Sequence, residues 1–124
     1  MSGIVSAVEY ENEWIKVTAD SNSAMYMNGT RIKAVENSND KEVEIWAKMV
    51  VTANHGNSKV GYFTLAKQRI RCTDHYSKIL QLISYNNKKN VLSDNKYNFE
   101  YEEAVPDSRL EKVSKIACYA VFEN

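Results

Sequence analysis

Two cysteines, two histidines and an alternating row of cations are the residues of this chain whose types could do chemistry. Cys72 and Cys118 could close one disulfide, or could stand as two separate buried thiols in a reducing compartment. Their number alone leaves both readings open. They form no CxxC pair, and neither His55 nor His75 lies near both, so no four-ligand zinc site is read. His75 has Asp74 and Ser77 close by in sequence, but neighbours in a strand or turn point apart. Adjacency therefore assembles no nucleophile with an oriented base. His55 sits in a polar turn with Gly56, and both histidines read as solvated or hydrogen-bonded turn residues. Four glycines supply no phosphate loop, and Glu100, Glu102 and Glu103 read as an exposed strand face. No catalytic, metal or cofactor-binding residue is assigned, and the chain reads as non-enzymatic.

Lys67, Arg69 and Arg71 alternate on one strand, while Lys88 and Lys89 occupy a loop. Such a ridge could grip a polyanion such as a sulfated glycan, or an acidic protein patch. Its ordinary reading is solvated charge on a sheet face. Trp46 and Phe63 fall on the same face as the ridge. The candidate binding face is therefore Trp46, Phe63, Lys67, Arg69, Arg71, Lys88 and Lys89. Charge reversal at Arg69 and Arg71 is expected to abolish polyanion binding at a nearly unchanged melting temperature. Sixteen basic and sixteen acidic residues cancel, so no net field draws the molecule to nucleic acid. The tyrosines form no stacking platform for RNA, and nucleic acid is not read as a partner.

The elements that must position these side chains are mostly strands. Short apolar and aromatic runs alternate with polar turn clusters, the signal of an antiparallel sheet. Strands are read at Trp14–Thr18, Ala24–Met27, Thr30–Val35, Val43–Ala53, Gly61–Cys72, Tyr76–Tyr85 and Val91–Ser93, with Tyr97–Glu102 as an edge strand. Asn28-Gly29 between two such runs predicts a hairpin turn, because both residues tolerate positive φ. Asn37–Lys41 reads as another turn. In Val43–Ala53, Val43, Ile45, Ala47 and Met49 share one face, and Glu44, Trp46 and Lys48 share the other. After Pro106-Asp107, Ser108 with Glu111 forms a capping box. Leu110, Val113, Ile116, Ala117, Ala120 and Val121 then predict one buried stripe of a helix. The fold class is thus α+β: one antiparallel meander of about six strands with a C-terminal helix on one face. At 124 residues one domain is the natural division. It comprises a tail over 1–12, a sheet over 13–104 and a helix over 106–121.

Several of these runs recur together in a recognisable order. They are Trp14-Ile15-Lys16-Val17, Met25-Tyr26-Met27-Asn28 with Thr30-Arg31-Ile32, and Val43-Glu44-Ile45-Trp46-Ala47-Lys48. An aromatic strand ending at Cys72 follows, then Tyr76-Ser77-Lys78-Ile79-Leu80, Pro106-Asp107-Ser108 and Ile116-Ala117-Cys118. This order resembles the surface-adhesin protein E family of bacterial envelope proteins. Asn28 stands where that family usually has Asp, and Asp107 where Gly usually sits. The resemblance implies a helix held on the concave face of the sheet by a Cys72–Cys118 disulfide. It also implies export to the periplasm or bacterial cell surface, often as a lipoprotein. Binding of host matrix or plasma proteins such as vitronectin, laminin and plasminogen, and a homodimer, are implied as well. Met1–Ala7 has neither a charged n-region nor a full apolar region, so no signal peptide is visible. These residues fit a true cytoplasmic start or a chain whose native signal sequence lies outside it, and the resemblance implies the second. No apolar run is long enough for a membrane span. The alternative reading is a periplasmic structural or assembly protein with no host ligand.

Overall fold

The computed structural model describes residues 10–11, 13–36 and 39–122. The expected tail over 1–12, apart from 10–11, lies outside the described residues, as do 37–38 of the Asn37–Lys41 turn. The elements in chain order are β1 (Tyr10–Glu11), β2 (Trp14–Ala19), β3 (Ser23–Asn28), β4 (Lys33–Ala34) and β5 (Glu42–Val51), then β6 (Phe63–Arg71), β7 (Tyr76–Tyr85), β8 (Val91–Lys96), β9 (Glu102–Glu103) and α1 (Arg109–Phe122). Among the described residues, all nine strands join one open antiparallel sheet. The six longer strands follow one another as an up-and-down meander, β2-β3-β5-β6-β7-β8. β1, β4 and β9 are two-residue additions. The first of them, Tyr10–Glu11, extends the sheet into the expected tail by pairing with Ile15 and Trp14.

Alternation decides which face is buried. Val43, Ile45 and Ala47 of β5 point under the helix with Met27 and Ile70, and all are buried. Met49, on the same face, lies beyond the helix and is exposed. Val113, Ala117 and Cys118 complete the core from above. A sheet with one apolar face must cover it, and α1 does so over the β2, β3 and β5 side.

The helix starts where its cap dictates. The Glu111 amide donates to Ser108 Oγ at 3.2 Å, and Glu111 Oε1 accepts from the Asp107 amide at 2.9 Å. Arg109 then reaches back to the β2–β3 turn, pairing with Asp20 at 2.8 Å. Asp20 itself accepts from the Asn22 and Ser23 amides, which hold its carboxyl below the ordinary range.

Three sequence expectations are corrected here. Ile116 and Ala120 are exposed, whereas Ser114 and Cys118 are buried. The buried stripe is rotated toward Cys118, because its bond to Cys72 sets the azimuth of the helix. Asn28-Gly29 is not a hairpin turn: β3 and β4 both pair with the single strand β5. Neither residue has positive φ. Instead the Asn28 carboxamide oxygen accepts from the Thr30 amide at 3.0 Å, and the Gly29 amide donates to the Glu13 carbonyl at 2.8 Å. A Cβ at Gly29 would sit 2.6 Å from Ile15 Cδ1, the end of a side chain that would have to turn aside for any larger residue. Finally, Tyr97–Tyr101 is not a strand, and only Glu102–Glu103 pairs with β7. The edge of β7 is already occupied by β8 from Gln81 to Tyr85. Tyr97 and Phe99 stack on each other at 4.7 Å instead.

Candidate functional site

The strand register carries the candidate residues onto the sheet face opposite the helix. Trp46 stands across from Lys67, Glu44 from Arg69, Glu42 from Arg71, and Val50 from Phe63. Five of the seven candidates, Trp46, Phe63, Lys67, Arg69 and Arg71, therefore share one face. Lys88 and Lys89 do not join them. They are exposed in the β7–β8 turn beyond Tyr85, at the other end of the sheet from Arg71. The Asn86 side chain builds that turn by accepting from the Lys88 and Asn90 amides.

The cations of the ridge are engaged. Glu44, only 7% exposed, meets Arg69 at 2.8 Å, Lys67 at 3.5 Å and Lys33 at 3.8 Å. Burial pushes its carboxyl up, but the Arg69 hydrogen bond and the three positive charges outweigh burial and hold it below its ordinary value. Arg71 forms a forked pair with Asp74 and lies between the rings of Tyr76 and Tyr101, at 5.3 and 4.6 Å. Tyr101 donates its hydroxyl hydrogen to Glu42. Burial and that carboxylate push the Tyr101 hydroxyl pKa up. At the other end of the face, Lys48 lies over Trp14 at 4.8 Å and over Tyr26 and Phe63 at 5.8 and 5.7 Å. Phe63 stacks on Tyr85 at 4.6 Å.

Glu44, Trp14, Lys33, Lys48 and Tyr101 were not among the candidates read from sequence. Glu44 and Lys48 carried a usable signal, since both alternate with Trp46. Lys33 and Tyr101 carried none, because long-range pairing brings them here.

A test of Glu44 follows from the sign of its shift. Its folded pKa is depressed, so its stabilisation is full above the unfolded value of 4.5 and is lost as pH falls through the folded value. Glu44→Gln is expected to cost about 1–3 kcal/mol at neutral pH, toward the lower end because the partner cations are a third or more exposed. Its melting temperature should also fall less than the parent's between about pH 5 and about pH 3. Parallel acid slopes for the two proteins would contradict the assignment.

The histidines resolve differently. His75, with φ 61°, closes the β6–β7 turn, and its Nδ1 lies 2.7 Å from Ser114 Oγ. Such a pair has the composition of a nucleophile with its base. Ser114 is 0% exposed, however, so no substrate carbonyl can approach it. The contact ties the turn to the helix beside the Cys72–Cys118 disulfide.

Comparison with known proteins places this geometry. The solved structure of Haemophilus influenzae protein E superposes with a TM-score of 0.62, covering 93% of this chain and 90% of that one. Sequence identity is 10%, so this likeness is one of fold. No curated protein sequence matches the chain. The model of the family described as surface-adhesin protein E matches residues 14–119, which take in the meander, most of the helix and both cysteines, and the chain belongs to that family.

Proposed function

We propose that this protein is an exported, non-enzymatic binding module of the bacterial envelope, holding a host matrix or plasma protein, or a polyanion, on the sheet face opposite the helix. One observation carries the reading. The helix and the disulfide cover one face, and the other keeps Trp14, Tyr26, Trp46 and Phe63 half-buried among cations. Half-exposed Trp, Tyr and Phe rings, with Arg69 and Arg71 on the same face, are the residue types enriched at interface centres. Membership of an adhesin family supports the same choice over a purely structural envelope role, and supports a location in the periplasm or on the cell surface, with a homodimer as one assembly open to it.

The experiment is solid-phase binding of the oxidised chain to vitronectin, laminin and heparin at low and physiological salt. Binding to at least one, reduced by Phe63→Ala or Trp46→Ala, is the expected result. No binding to any of them at low salt would favour the structural or assembly role. Charge reversal at Arg69 and Arg71 is a poor probe, contrary to the sequence expectation. Both arginines hold carboxylates on this face, so reversal should lower the melting temperature as well as any binding.

A further inference from the structure

We propose that the groove around Trp46 is a site for an acidic saccharide, a ring carrying carboxylate or sulfate. This rests on the reading of the sheet face as the binding face and names a ligand class and its residues. Two adjoining concavities, of about 330 and about 480 Å³, share Arg31 and Trp46. Together they reach the size of a small-ligand site.

Charge selects the sign of the ligand. The one buried carboxylate of the groove, Glu44, is matched against Lys33, Lys67 and Arg69, which leaves positive charge in excess. Lys33 has a side chain 72% exposed, so its ammonium is held loosely and is available to a bound anion. Arg31 lines both concavities and makes no ion pair among the described residues. Its planar fork suits a carboxylate or a sulfate.

Shape and the remaining polar groups select a sugar. Trp46 presents a half-buried indole to the concavity that Arg31 and Lys67 also line, a surface on which the C–H face of a pyranose can lie. The ring of Trp14 is partly occupied by Lys48, so Trp46 is the stacking surface. Glu13 also lines the groove, where it accepts from Thr30 Oγ1 at 3.0 Å. A carboxylate there can accept from sugar hydroxyls, which the backbone of an oligodeoxynucleotide lacks. The groove thus combines cations for the acid group, an aromatic wall for the ring and acceptors for hydroxyls. A simple cationic ridge has only the first.

The probe is a heparin-derived tetrasaccharide added to the intact, oxidised chain, read by tryptophan fluorescence and calorimetry. A neutral maltotetraose and a short oligothymidylate of equal charge serve as comparators. Expected are saturable binding of the sulfated sugar, a change in tryptophan emission, and weaker binding of both comparators. Arg31→Gln with Lys33→Gln should weaken binding about tenfold or more, with the melting temperature nearly unchanged because both are exposed and Lys33 is the most distant of the three cations around Glu44, at 3.8 Å. Lys88→Gln with Lys89→Gln, at the far turn, should leave binding unchanged. Failure of the tetrasaccharide to bind, equal binding of the oligothymidylate, or insensitivity to the Arg31 and Lys33 changes would each overturn the proposal. The adhesin reading is judged separately by vitronectin and laminin. Sugar binding without protein binding would leave a polyanion as that reading's ligand and exclude its protein ligands, and protein binding without sugar binding would sink only this one.

Discussion

Ile45→Ala is expected to lower the stability of the folded protein by about 2–5 kcal/mol, while Ile116→Ala changes it by less than about 0.5 kcal/mol. Both substitutions remove the same atoms, so their difference isolates position. Ile45 is fully buried on β5, in one cluster with Met27, Val43, Ile70, Val113 and Ala117. Truncation there leaves a cavity walled by two layers that cannot collapse freely, because the helix is tied to the sheet at Cys118. Ile116 is 41% exposed on the outer side of α1. Alanine is also the better helix former, which offsets the little packing lost. Denaturant unfolding of the two variants checks this, with unchanged m-values as the control for two-state behaviour. A loss at Ile116 equal to that at Ile45 would mean that the helix packs by the other stripe.

Cys118→Ala should be the second large effect, a loss of about 2–5 kcal/mol. The bridge joins residues 46 apart in sequence, and the chain-entropy model gives about 4 kcal/mol for a loop of that size. Loss of the bond acts on the helix first. A helix of 14 residues is marginal in water by itself, so α1 depends on its docking. Amide exchange in α1 should therefore quicken more than exchange in β5 and β6. Cys72→Ala combined with Cys118→Ala should be close to the single variant, since both break one bond. Equal stability of the oxidised parent and the fully reduced protein would contradict a structural role for the bridge.

Periodicity was enough to read the long strands, because side chains alternate strictly along an extended chain. Val43, Ile45 and Ala47 on one face and Glu44, Trp46 and Lys48 on the other followed from β5 alone. The helix start was equally local: Ser108 and Glu111 lie within one turn, and the cap forms between them. Local rules failed where two distant segments compete for one position. Asn28-Gly29 has the composition of a hairpin turn, yet β5 is long enough to pair with both flanking segments at once. Tyr97–Glu102 has the alternation of a strand, yet β8 had already taken most of that edge of β7.

The site divides along the same line. That Trp46, Phe63, Lys67, Arg69 and Arg71 share a face is a consequence of alternation within β5 and β6, and the sequence by itself determined it. The partners of those residues were decided only by tertiary structure. Pairing of β4 with β5 brings Lys33 beside Glu44, and the loop before β9 lays Tyr101 against Arg71. Charge on a sheet face looks free in a sequence because the opposing carboxylate belongs to another strand. The rotation of the helix was decided in the same way. Its apolar positions allow two neighbouring stripes, and the covalent tie from Cys118 to Cys72 selects the one that faces the sheet.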